Sequence, residues 1–320
     1  MKTELRRGES NETIAKAVKL LREGAAIALP TETVYGLAAD ALKEGAVLKI
    51  FAAKDRPRFD PLIVHLPDPG WIERVAVLED SARKILDRLR MRFWPGPLTF
   101  VLPRQSLVPD LVTSGLDTVA IRISSHPVFC EVIREFDGPL AAPSANRFGR
   151  ISPTAAEHVR EELDGLIPLI VDAGPTTHGI ESTIVALRNG RIEVLRRGPI
   201  TVEQLSEFGE VVIGASGPRP DAPGQLPSHY APRTPLIFVD DLASFVPPAG
   251  QRRGFLQLRT LSARGDLVEA AANLFRCLRE LDHAGLELIV AEKFPDEGLG
   301  AAINDRLRRA AIPDARGTPG

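Results

Sequence analysis

Two short polar motifs in apolar surroundings carry most of the chemistry legible in this chain of 320 residues. Lys54-Asp55-Arg56 lies in FAAKDRPRFDPLIVHL, and Ser144-Ala145-Asn146 lies in PLAAPSANRFGRISPT. Two cations ahead of an apolar run, and small donors in a Pro/Gly-rich turn, suit an anion, best a nucleotide polyphosphate. Transfer at phosphorus gains most from positioned positive charge, which these residue types could supply. Each motif also has a bland reading. Lys-x-Arg fits a solvated helix end, and Ser-x-Asn fits an Asx or Ser turn ahead of a helix.

Three further positions invite the same double reading. Thr31 and Thr33 in PTETVYG follow an apolar run, where open sheets bind ligands, yet a turn could use the hydroxyls on its own backbone. His65 ends the run PLIVHL, where a lone histidine is more often structural than catalytic. Arg122 sits inside VAIRIS, and a charge flanked by apolar residues needs a partner or a ligand. The chain carries no GxxxxGK[ST] loop, GxGxxG turn, GxSxG elbow or HExxH pair.

The elements that must position these residues follow from periodicity. Ile14, Ala17, Val18 and Leu21 mark one face of a helix over 11–23, with Asn11 able to cap its start and Gly24 its end. AAIALP, PLIVHL, LTFVLP, TVAIRIS, PLIVDA, STIVAL and IEVLR read as strands, with helices near 44–54, 80–91, 127–136 and 154–164. This mixture predicts an α/β (α+β) fold. The runs 182–187 and 191–196, joined through an Asn-Gly turn, predict an antiparallel hairpin and hence a mixed sheet.

Composition changes at 214–235, GASGPRPDAPGQLPSHYAPRTP, which reads as a linker between a domain of residues 1–213 and a smaller α/β unit of 236–320. In that unit PLIFVDD, GFLQL and LELIVAE read as strands. Residues 266–283 read as a helix facing the core through Val268, Ala272, Phe275, Leu278 and Leu281, and 299–311 as another. The tail RGTPG is expected to be disordered.

With 44% hydrophobic residues, 26% charged and a net charge of −2, the sequence is that of an ordinary globular protein without a basic surface for tight nucleic-acid binding. Cys130 and Cys277 form no CxxC pair, which suits a reducing cytoplasm rather than a disulfide or zinc scaffold. No secretory signal or membrane span is expected.

PTETVYGLAADA, the Lys-x-Arg and Ser-x-Asn motifs, FWPGPLTFVL, VAIRISSHP, IESTIVAL, VLRRGP and HYAPRTPL occur in one order over residues 10–312. In this order they resemble the threonylcarbamoyl-AMP synthase family, in its two-domain form. The resemblance implies a YrdC-like twisted mixed sheet with flanking helices, followed by a small Rossmann-like domain. It implies an enzyme that joins L-threonine, bicarbonate or CO2 and ATP into threonylcarbamoyl-AMP and pyrophosphate. A separate transferase would then modify an adenosine of tRNA.

On this resemblance Lys54 and Arg56 would be catalytic and hold the ATP triphosphate, with Mg2+ entering on ATP and no metal site on the protein. Thr33, His65, Arg122, Ala142 and Ser182 would bind L-threonine. Asp60, Thr118, Ser144, Asn146, Ser152, Arg196 and Tyr230 would bind ATP, and Tyr35 would line the same cavity. The chain departs from the family's pattern at Asp60, where Asn is usual, and at Gln225, where Met is usual. A carboxylate at position 60 would repel phosphate unless it pairs with Arg58 or helps to hold magnesium. The linker, with His229-Tyr230, would fold over the site as a lid. Two other readings are another carbamoyl-adenylate-forming enzyme on the same domain and an RNA-binding module. The first lacks its zinc-finger cysteines here, and the second lacks a basic, aromatic-rich face.

Overall fold

The computed structural model describes residues 2–214, 222–246 and 250–312. Two sheets organise them. The larger comprises β1 (Glu4–Arg7), β2 (Ile27–Leu29), β3 (Gly36–Asp40), β4 (Ile63–His65), β5 (Leu98–Pro103), β6 (Thr118–Arg122), β7 (Leu140–Ala141), β8 (Leu169–Asp172), β9 (Thr183–Arg188), β10 (Arg191–Arg196) and β11 (Val211–Ile213). Their spatial order is β1-β8-β2-β3-β7-β4-β6-β5-β9-β10-β11. Pairing is mixed: β4 runs parallel to β6, whereas β5 is antiparallel to it.

Both faces of this sheet are covered, so its central strands are buried and largely apolar. In β2, Ala28 faces one core while Ile27 and Leu29 face the other, as the two-residue repeat of a strand requires. Helices Asn11–Arg22 and Pro127–Phe136 cover one face, and Glu44–Lys54 and Asp80–Phe93 cover the other. The first helix is capped by Ser10, whose Oγ accepts from Thr13 N at 3.1 Å, not by the expected Asn11. The expected hairpin is present. Asn189 and Gly190 take φ of 53° and 71°, which the tight β9–β10 turn needs.

The smaller sheet, β12 (Leu236–Val239), β13 (Arg253–Leu256) and β14 (Leu288–Glu292), is wholly parallel in the order β12-β14-β13. Helices Leu267–His283 and Gly298–Ala310 pack on it. The first of these buries Ala270, Ala271, Leu274, Phe275 and Leu278 and leaves Val268 exposed, so its core stripe lies slightly offset from the expected one.

The two units share a core in which Val34, Ile151 and Ile180 join residues of the C-terminal helices. Gly179 makes this close approach possible, because a Cβ there would lie 2.4 Å from the Ala272 carbonyl oxygen. No helix among the described residues is long and apolar enough to cross a membrane. Part of the expected linker (215–221) and the tail RGTPG lie outside the described residues.

Candidate active site

A narrow cleft, partly open to solvent, lies against one face of the large sheet. Ile63 and His65 alternate onto that face of β4, and Arg122 pairs opposite His65 on β6.

The first wall is built by the turn after β2. Thr31 Oγ1 accepts from the backbone N–H of Thr33 and Val34 at 3.1 and 3.2 Å and donates to Val34 O at 2.6 Å. That closed turn aims Thr33 at Arg122, whose Nη1 donates to Thr33 Oγ1 at 3.0 Å. Arg122 Nε donates to Gly96 O at 3.1 Å. Its Nη2 forms an ion pair with Glu32 Oε1 at 2.6 Å, without the alignment of a hydrogen bond. Ser124 Oγ holds the other Glu32 oxygen at 2.5 Å. Burial pushes the Glu32 carboxyl upward, but the Arg122 charge and the Ser124 hydrogen bond outweigh it and hold it at about 2. The neighbouring His65 has neither ring nitrogen hydrogen-bonded and packs on Phe129 at 4.9 Å. Burial, then the Arg122 charge, lower its pKa to about 3, so it is neutral at pH 7.

The opposite wall carries the two motifs. The helix Glu44–Lys54 ends with Asp55 in the left-handed region at φ 52°, a conformation aspartate tolerates. This turn sends Lys54 inward, where its buried Nζ donates to Ser144 O and Asn146 O, both at 2.5 Å. Lys54 therefore fixes the Ser144-Asn146 turn to the helix end. Burial, then Arg56, lowers its pKa well below the ordinary value.

Arg56 lines the cavity and donates to Asp60 O at 3.2 Å and Pro61 O at 2.8 Å. Its Nη2 lies 2.8 Å from Asp60 Oδ2, so the partner of Asp60 is Arg56 and not the exposed Arg58. Both Asp60 oxygens are buried without a hydrogen bond, and burial raises the carboxyl's pKa against the Arg56 and Lys54 charges.

The third wall comes from the β9–β10 hairpin. Ser182 Oγ lies 2.8 Å from Thr99 Oγ1 and accepts from Arg196 Nη2 at 3.0 Å. Arg196 Nη1 reaches Pro223 O in the linker at 3.2 Å. The linker roofs the cavity with Pro223, Gly224, His229 and Tyr230. Tyr230 adopts φ 65° and stacks on Phe275 of the C-terminal unit at 5.4 Å. Burial pushes its hydroxyl up to about 12. Gln225, at the departure from the usual Met, is buried, and its Oε1 accepts from Ala222 N at 3.2 Å.

Of the residues singled out from sequence, Thr33, Arg56, His65, Arg122, Ala142, Ser144, Ser182, Arg196 and Tyr230 line this cavity. Lys54, Asp60 and Ser152 stand one contact behind it, through Ser144, Arg56 and Glu181. Asn146 is buried and bonded to Arg147 O and Arg150 O at 2.7 and 2.9 Å. Thr118 is not brought in. It starts β6, about 13 Å from Arg122 at the strand's rise per residue, in a separate cleft beside Pro103 and Leu187. Tyr35 also departs from expectation, because its hydroxyl donates to Gly174 O at 2.7 Å, away from the cavity.

Sequence reasoning passed over Glu32, Glu181 and Arg306. Glu32 and Glu181 each adjoin a singled-out residue, Thr33 and Ser182, and a lone charge in an otherwise uncharged motif was the available signal. Arg306 lies in a helix with Ile303 and Leu307 and gave none.

Comparison with known proteins adds to this geometry. The Sua5/YciO/YrdC family model, described as telomere recombination, matches residues 19–198. A second model, described as threonylcarbamoyl-AMP synthase, C-terminal domain, matches residues 200–312. The threonylcarbamoyl-AMP synthase of Pyrococcus abyssi is 40% identical over 318 residues, covering 92% of this chain and 93% of its own. That of Bacillus subtilis is 41% identical over 327 residues, covering 93% and 92%. The crystal structure of P. abyssi Sua5 complexed with L-threonine has a TM-score of 0.86 at 36% identity, covering 97% of this chain and 98% of that one.

Proposed function

The chain belongs to the threonylcarbamoyl-AMP synthase family in its two-domain form, and we propose that its cavity joins L-threonine, bicarbonate or CO2 and ATP into threonylcarbamoyl-AMP. It is an enzyme, a transferase that makes an adenylate intermediate for tRNA modification. The observation that carries the site assignment is the convergence, under one linker roof, of a carboxylate-sized fork with a ring of buried cations. The fork is Arg122 with Thr33, and the cations are Arg56, Arg196 and, behind Ser144, Lys54.

The threonine carboxylate would take the Arg122 fork beside Thr33, with Glu32 keeping that guanidinium in register. The amine would add to the one-carbon unit to give a carbamate. A carbamate oxygen would then form the bond to the α-phosphorus of ATP, and the bond to pyrophosphate would break. With bicarbonate as the carbon source, water is the remaining product.

Both reactants are anions, so Arg56 and Arg196 would lower their repulsion and stabilise the leaving group. Neutral His65, with both nitrogens free of hydrogen bonds, can serve a ligand without adding charge. The linker roof would exclude water, which matters because carbamates and acyl adenylates hydrolyse.

Magnesium would arrive on the phosphates and neutralise part of their charge. Among the described residues no three His, Cys, Asp or Glu side chains converge as ligands, and Asp60, paired with Arg56, stands behind the cavity lining rather than in it. A separate transferase would take the product. Calorimetric titration with L-threonine tests the fork: Arg122→Gln should weaken binding at least tenfold, and unchanged affinity would refute the assignment.

A further inference from the structure

The cavity holds a carboxylate that a polyanion site should not contain. Glu181, at the start of the ESTIVAL segment, lines the space intended for ATP and threonine. One of its oxygens accepts from the buried Ser152 Oγ at 2.5 Å. The other lies 3.1 Å from Nε of Arg306, which is 1% exposed and belongs to the C-terminal helix Gly298–Ala310. The Arg306 fork closes further on this region, with Nη1 donating to Arg197 O at 2.6 Å and Nη2 reaching Glu181 O at 3.5 Å. Its guanidinium carbon also stands 5.6 Å from the centre of the Tyr230 ring in the roof.

One side chain of the second unit thus touches the carboxylate in the wall, the backbone beside Arg196, and the linker roof. Asp305 adds a weaker contact to Arg306 at 3.4 Å and pairs with Arg309 at 3.0 Å, whose Nη1 holds Leu226 O of the linker at 2.6 Å. The helix Gly298–Ala310 therefore fastens the linker while neutralising the wall.

Resting on the function proposed above, we infer that Arg306 is a positioning residue by which the C-terminal domain makes the cavity fit for ATP. It cancels the Glu181 charge and keeps Glu181 turned towards Ser152. Without it, an ionised Glu181 would be left buried in a wall that must accept a polyanion, and Ser152 would lose its fixed acceptor. A buried carboxylate stripped of its cation is strongly disfavoured, and its field would act on a triphosphate across a low-dielectric space. A role limited to docking the two domains would require a cation in contact with the other domain, but not one compensating a carboxylate on the cavity wall.

The test is steady-state kinetics on the full chain, with detection of threonylcarbamoyl-AMP, for wild type, Arg306→Met, Arg306→Lys and Arg306→Met/Glu181→Gln. Arg306→Met should raise the KM for ATP at least tenfold, with a smaller change in kcat and in the KM for threonine. The double variant removes both charges while Gln keeps an oxygen for Ser152, and should recover most of the ATP KM. A purely structural role would leave the double variant as impaired as the single one, and that result overturns the inference. An Arg306→Met enzyme with the wild-type ATP KM overturns it as well. If Arg306→Met does not fold, Arg306→Lys carries the test. It should raise the ATP KM about threefold, and a wild-type value would count against the inference. A wild-type enzyme that makes no threonine-dependent adenylate would instead overturn the function on which this rests.

Discussion

Replacing Glu32 by Gln perturbs the one buried ion pair on the threonine side of the cavity whose worth can be worked out. Glu32 and Arg122 are 5% and 3% exposed, so solvent screens their 2.6 Å contact little. The carboxyl is held at about 2 against an ordinary 4.5, a difference of 2.5, which at about 1.4 kcal/mol per unit corresponds to roughly 3.5 kcal/mol. A depressed carboxyl contributes its stability above the unfolded value, and loses it as pH falls from 4.5 through 2. Glu32→Gln keeps the shape but leaves Arg122 without a counter-charge. The melting temperature at pH 7 should fall by about 5 °C for a chain of this size.

The acid limb should also change. His65, held at about 3 by burial and then by Arg122, draws stability down as pH falls from 6.5 in either protein. Only the wild type should lose a further step between 4.5 and 2. Calorimetry from pH 7 to pH 3 with circular-dichroism melts resolves both effects. A melting temperature within 2 °C of wild type, with an unchanged slope below pH 4.5, would refute the reasoning.

Lys54→Met leaves Ser144 O and Asn146 O without their donor, so stability should drop by about 3–5 kcal/mol and adenylate synthesis more than tenfold, read by denaturant titration and product mass. Asp60→Asn removes the carboxylate paired with Arg56 at 2.8 Å. ATP binding by calorimetry should tighten about three- to tenfold as Arg56 is released, whereas weaker binding with a higher magnesium requirement would show that Asp60 holds the metal. Gly224→Ala places a Cβ 3.0 Å from Tyr230 Oη and 3.1 Å from Arg196 Cδ at φ 82°. The roof should then fit poorly, raising the ATP KM at least threefold while the melting temperature stays within 2 °C.

Local signals made much of the architecture legible. The apolar stripe of Ile14, Ala17, Val18 and Leu21 and the Asn189-Gly190 turn led directly to the first helix and the β9–β10 hairpin. The strand Glu4–Arg7 left no such signal, because an edge strand with largely exposed Glu and Arg side chains shows no apolar alternation. The site divides in the same way. Arg122 stood out as a charge inside an apolar strand, and Lys54 and Arg56 as cations before one. Their partners were not legible, since they are set by turns and by tertiary contact. Asp60 pairs with Arg56, which is buried beside it, and not with Arg58, which faces solvent. Glu181 meets Arg306 only once the second unit has docked, far along the chain.

The central claim is that this cavity condenses threonine, a one-carbon acid and ATP. The most direct measurement is pyrophosphate release with magnesium and ATP, with L-threonine and bicarbonate each supplied or omitted, and mass detection of the product. The account predicts pyrophosphate only when both are present, together with a threonylcarbamoyl-AMP peak. Pyrophosphate release that ignores threonine, or a folded, ATP-binding protein that forms no adenylate, would contradict it.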